Sequence, residues 1–98
     1  MKDLRNSYKE AAKDYISENM NWFGLTNLNE SELSHIINLA SSVMMTRDKY
    51  MMGGSFVQSV VENNLEQAVS RADDTAIKGL RTFTFIKNNC YINENVEE

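Results

Sequence analysis

The chain predicts an all-α fold, a compact bundle of four to five helices forming one domain over residues 1–92. Three observations carry that prediction. There is no proline among its 98 residues, so nothing removes a helical N–H donor or forces a break. Apolar residues recur at three- and four-residue spacing, the period of an amphipathic helix. Asn29, Ser55 and Asn64 are each followed three positions later by Glu or Gln, the sequence form of a capping box.

The first helix is expected from about Lys2 to Met20, burying Leu4, Tyr8, Ala11, Ala12, Tyr15, Ile16 and Met20 along one stripe. A break follows over 21–27, where Gly24 can turn the chain and Trp22, Phe23 and Leu25 are expected to plug one end of the core. Asn29 and Glu32 then open a second helix at Glu30, with Leu28 stapled onto Leu33. Its inward face is Leu33, Ile36, Ile37, Ala40 and Met44, and it runs to Met45 or Thr46. Ser55 and Gln58 predict the cap of a short buried helix through Phe56, Val57, Val60 and Val61. Asn64 then caps either a short fourth helix or a kinked continuation of the third, with Leu65, Ala68, Val69 and Ala72 facing inward. Asp73 or Asp74 starts the last, through Ile77, Leu80, Phe83 and Thr84. A short strand over 82–86 is the alternative there, because TFTFI alternates and Gly79 weakens a helix by about 1 kcal/mol relative to alanine.

Composition bounds the function. The 42% hydrophobic content supports one core, but a domain this small buries a modest share of its surface, which favours association into a homo-oligomer. Cys90 is the single cysteine, so an internal disulfide is excluded and a reducing, cytoplasmic setting is expected. No apolar run approaches the roughly 18–20 residues that span a bilayer. The net charge is −4, with Glu94, Glu97 and Glu98 in a C-terminal segment, 93–98, expected to be a disordered acidic tail. A nucleic-acid partner is disfavoured because the basic surplus that displaces counterions is missing.

The densest cluster of informative residues is 46–73. Gly53, Gly54 and Ser55 either make a tight turn that caps the following helix or present backbone N–H groups to a phosphate or carboxylate; the turn lacks the length and the lysine of a P-loop. Thr46, Arg47, Asp48 and Lys49 read as a solvated helix end. Yet Met44, Met45, Met51 and Met52 put four methionines within nine positions, and flexible, polarisable side chains of this kind suit either core filling or an adaptable binding surface. Asn64, Arg71 and Asp73 read as caps and helix-end charges, or as ligand contacts with Arg71 gripping an anion bidentately.

His35 lies off the apolar stripe and has no metal-site partners beyond Glu30 and Glu32, so it reads as a surface residue. Cys90 has no activating neighbour. Asp73 and Asp74 are adjacent and point apart on a helix, which is wrong for an acid–base pair. No enzyme is expected, and neither a metal nor a cofactor.

The block Gly53-Gly54-Ser55-Phe56-Val57-Gln58, with Val60-Val61, Asn63-Asn64-Leu65 and Arg71-Ala72-Asp73, resembles a pattern of small uncharacterised proteins of tailed phages and related mobile elements. That pattern has Gly-Gly-x-Phe, an apolar run, Asn-Asp-Leu, and Arg-Ala-Asp before a helix containing Ala-Leu. This chain departs from it at Asn64, where the pattern has Asp, and at Gly79-Leu80, where it has Ala-Leu. The resemblance covers the middle third of the chain. It implies a phage-encoded protein acting in a bacterial host cytoplasm, where small helical proteins capture a nucleotide immune signal or occlude a host protein.

The functional expectation is therefore a non-catalytic, self-associating protein that sequesters an anionic small molecule, such as a signalling nucleotide, in counter-defence. Gly53, Gly54 and Ser55 would offer donors, Arg47 and Arg71 would pair with phosphate, Tyr50 or Phe56 would stack on a base, and Asn64 and Asp73 would hydrogen-bond. The alternative is a protein–protein inhibitor docking on a host protein through Met45, Met51 and Met52. The direction in which the methionines point separates the two.

Overall fold

The computed structural model describes residues 3–92, and the predicted acidic tail over 93–98 lies outside them. The described residues form helices and no strand, in the order α1 (Arg5–Glu18), α2 (Met20–Phe23), α3 (Glu30–Arg47), α4 (Ser55–Val61), α5 (Leu65–Arg71), α6 (Asp74–Lys78) and α7 (Leu80–Asn89). The seven exceed the four to five expected because α2 is a single turn and the last predicted helix is divided at Gly79.

The longest helix, α3, is the axis of the bundle. It packs against α1, α4, α6 and α7, while α5 leans on α4. Ile36, Ile37, Ala40, Val43 and Met44 of α3 are buried, and Ser41 and Thr46 are buried with them. Tyr8, Ala12 and Ile16 of α1 and Phe83 and Ile86 of α7 complete the core around it. The predicted α1 stripe is the observed one, with Leu4, Ala11, Tyr15 and Met20 half-buried at its margins. The α3 start is also as read: Asn29 Oδ1 accepts the Glu32 N–H at 2.8 Å, and the Glu32 carboxylate accepts the Asn29 N–H at 3.2 Å.

Three helices end in the same Schellman hydrogen-bond pattern around a left-handed residue. After α2 that residue is Gly24 (φ 69°), with Leu25 N–H returning to Met20 O and Gly24 N–H to Asn21 O. After α4 it is Asn63 (φ 64°), with Asn64 N–H on Ser59 O and Asn63 N–H on Val60 O. After α3 it is Lys49 (φ 63°), with Tyr50 N–H on Met45 O and Lys49 N–H on Thr46 O. Glycine and asparagine tolerate this backbone readily, whereas a lysine there is strained by about 1 kcal/mol.

Several expectations are corrected. Ser55 does not cap α4. Gly54 holds the N-cap position without a side-chain bond, and Gln58 Nε2 donates to Gly53 O at 2.8 Å instead. Leu65 and Val69 face solvent, at 71% and 46% exposure, because α5 turns only Ala68 and part of Ala72 inward. Ile77 is likewise exposed, and Trp22 is 56% exposed while Phe23 and Leu25 alone fill the end of the core. The 82–86 segment is helical: Thr82, Phe83 and Ile86 share the buried face of α7, a helical spacing. The Thr82 hydroxyl is buried without a hydrogen-bond partner, a cost the surrounding packing outweighs.

Gly79 explains the split of the last helix. A Cβ there would stand 2.5 Å from Ile36 Cδ1 and 2.8 Å from Phe83 Cζ, so α6 and α7 meet α3 where only hydrogen fits. Helix propensity alone predicts that Gly79→Ala gains about 1 kcal/mol. Overpacking against Ile36 and Phe83 is expected to win, lowering stability by about 1–3 kcal/mol in denaturant titration. Gly54→Ala, with open space around its Cβ position, is expected to leave the midpoint nearly unchanged.

Candidate functional site

The loop from Asp48 to Gly54 joins α3 to α4 and is held by one buried hydroxyl. Thr46 Oγ1 donates to Met51 O at 3.2 Å and accepts the Gly53 N–H at 2.9 Å. Gly53 sits where a Cβ would meet Ser42 Oγ at 2.5 Å and Val57 Cγ1 at 2.8 Å, so its small size serves close packing of the loop on α3 and α4. Thr46 and Gln58 are therefore the residues that shape this loop. Sequence reading assigns neither to that role, because Thr46 has no cue beyond lying in the last turn of a helix.

Fixed in this way, the loop borders a groove of about 410 Å³ lined by Lys49, Tyr50, Met51 and Met52 together with Gln58 and Val61 of α4 and Glu62 just after it. Met51 and Met52 are exposed, Met52 at 71%. The other two methionines belong to the core, Met44 fully buried and Met45 packed against it. Tyr50 is anchored: its ring lies 5.6 Å from that of Tyr8, and its hydroxyl accepts the Leu4 N–H at 2.9 Å and donates to Asp3 Oδ1 at 3.3 Å.

The remaining candidates lie elsewhere. Arg47 lines neither described hollow. Its Nη1 donates to the carbonyls of Ile86, Lys87 and Cys90 at 3.2, 3.0 and 2.7 Å, closing the C-terminus of α7. Its Nε and Nη2 grip Asp48 at 2.7 and 3.1 Å, and its guanidinium stacks 4.1 Å over the Tyr91 ring. Asp48 also accepts the Tyr8 hydroxyl at 2.9 Å. Arg71 donates to the buried Ser59 hydroxyl at 3.1 Å, which itself donates to Ser55 O. Phe56 is a core residue set edge-on to Phe83 at 5.7 Å. Asn64 and Asp73 are helix caps, accepting the Gln67 and Ala76 N–H groups at 3.2 and 2.7 Å.

Polar contacts outside the loop clasp the fold. His35 Nε2 lies 3.0 Å from Asp73 Oδ2, and Lys78 Nζ donates to Glu32 at 3.1 Å, so two exposed pairs link α3 to the start and end of α6. Backbone donation from Ala76, then His35, holds the Asp73 carboxyl below the usual carboxylate range. On the far end, Arg81 donates to Trp22 O at 3.2 Å and stacks on its ring. A second hollow of about 420 Å³ opens between α1 and α3 beside Lys9, Lys13 and Leu33. Burial raises the Cys90 thiol above its ordinary value although Arg47 lies close. Among the described residues, no three His, Cys, Asp or Glu side chains are grouped to hold a metal ion, and no helix is long and apolar enough to cross a membrane.

Comparison with protein-family models, curated proteins and solved structures returns no match.

Arg47 is thus a fixture of the fold with a side chain 13% exposed. Arg47→Lys keeps the charge but loses the planar fork, and is expected to cost about 1–3 kcal/mol in chemical denaturation. Arg47 hydrogen bonding, reinforced by Tyr8, lowers the Asp48 pKa against the opposing effect of burial. On acidification the unfolded chain therefore takes up this proton before the folded one does. The stability contributed by Asp48 is complete above the ordinary carboxylate range and is lost as pH falls through it towards the folded value. Thermal unfolding against pH should show Asp48→Asn with a lower plateau near neutrality and a shallower acid limb than the parent.

Proposed function

We propose that this chain is a non-catalytic binding protein that docks a protein partner through the methionine-lined groove beside the 48–54 loop. One observation carries the reading: Met51 and Met52 project from a loop stapled by Thr46, leaving two adaptable apolar side chains exposed on a rigid support. Adaptable thioethers on a fixed frame suit recognition of apolar side chains from another protein.

The anionic-ligand reading has less support. It needs Arg47 free to pair with phosphate and the Gly53 N–H free to donate, and both are taken up within the fold, while the exposed Arg71 spends one of its five N–H donors on Ser59. The setting that we propose, a phage or mobile-element protein acting in a bacterial cytoplasm, rests on the resemblance of residues 53–73 alone.

A photo-crosslinking diazirine side chain at position 52, in the chain expressed in bacteria, is expected to yield a discrete protein adduct that the same group at Asn88 on α7 does not. Identical adduct patterns from both positions, or none from position 52, would remove the docking reading. A nucleotide that binds in calorimetry with an affinity unchanged by Met52→Glu, but abolished at Arg71→Ala, would replace it with the ligand reading.

A further inference from the structure

We propose that the occupant of the groove is a second copy of this chain, related by a two-fold axis that sets Lys49 of each copy against Glu62 of the other. This deepens the docking reading and rests on it. Lys49, at the end of α3, and Glu62, at the end of α4, both line the groove. They have opposite charge, both are exposed, and among the described residues neither has an ion-pair or hydrogen-bond partner for its side chain. The two charges that precede Lys49 in sequence are matched to each other, Arg47 with Asp48. Lys49 and Glu62 are thus the two charges of the groove left without a partner.

Met51, Met52 and Val61 line the same groove, so it combines apolar side chains with one charge of each sign, a combination found in protein interfaces. A two-fold operator brings one patch against its own image, so that a contact from residue i to residue j is made twice. A surface carrying one unpaired cation and one unpaired anion is complementary to itself under that operation, and both charges are matched at once. A partner of unrelated sequence would have to supply the same two charges independently.

Further apolar side chains are exposed shortly after Glu62 in the sequence. Leu65 lies three residues past Glu62, within about 11 Å along the chain, and it is exposed together with Val69 one helical turn on. Covering these side chains offsets the small core of a domain of this size.

Sedimentation equilibrium of the full chain tests the pairing. The parent is expected to be a dimer, while Lys49→Glu and Glu62→Lys each raise the dissociation constant about tenfold or more, because each sets like charges face to face at two places. An equimolar mixture of the two variants is expected to form a heterodimer. Glu at position 49 then meets Lys at position 62, and Glu62 meets Lys49. Recovery on mixing requires that both variants fold, so a loss caused by misfolding reads differently. A parent that stays monomeric into the millimolar range overturns the second copy as occupant, while a discrete crosslink from position 52 to another protein would still uphold the docking reading. A parent dimer that neither variant weakens, or variants that weaken it without pairing when mixed, overturns the two-fold arrangement.

Discussion

The bundle depends on the Arg47–Asp48 pair at the C-terminal end of α3. One guanidinium closes the last carbonyls of α7 and fixes the carboxylate of its neighbour, which in turn receives the Tyr8 hydroxyl from α1. The long helix is thereby tied to α1 and α7, two of the four helices it packs against. Helix C-termini leave carbonyls without partners, and a cation at that end also favours the helix dipole. Arg47 meets both demands for α7 from a different helix, a tertiary contact bridging 43 residues of sequence at Cys90. Its planar fork allows two of its nitrogens to face Asp48 while the third faces the carbonyls, an arrangement that an ammonium group lacks the geometry to make.

The same junction sets the position of the groove. Immediately after Asp48, the chain turns through Lys49 in a left-handed conformation, and Tyr50 is drawn back towards α1 by its contact with Tyr8 and its bonds to Leu4 and Asp3. Met51 and Met52 are the next residues, and both are exposed. Thr46 holds the backbone of Met51 and Gly53 from below, and Gly53 packs too tightly on α3 and α4 to admit a side chain. The exposure of the two methionines is therefore a product of a well-constrained loop, and it comes with a lysine in a backbone conformation usually given to glycine.

Helix boundaries made by side chains close in sequence were legible in advance. Asn29 with Glu32 and Asn64 with Gln67 act within one turn, and local chemistry is enough to place them, while at α6 it left Asp73 and Asp74 as alternatives of which Asp73 caps. Ser55 had the same signature and did not act on it, because Thr46 binds the Gly53 N–H and Gln58 reaches back to the Gly53 carbonyl. Leu65 and Val69 failed for a related reason. Helical periodicity shows which residues share a face, but not which face a seven-residue helix lays on its neighbour. Arg71, expected near an anion, instead meets the buried Ser59 hydroxyl, twelve residues away.

By itself, then, the sequence determined the all-α class, the stripe on α1, the start of α3 and most of its inward face though not the buried Val43, and the cap of α5, and it narrowed the cap of α6 to Asp73 or Asp74. Each follows from residues within a few positions of one another. Only the tertiary structure decided that Arg47 belongs to α7, that Gly79 marks a close approach to Ile36, and that two of the four clustered methionines are core while two are surface. Those outcomes depend on which helices meet and at what distance, and periodicity along one chain carries no record of that.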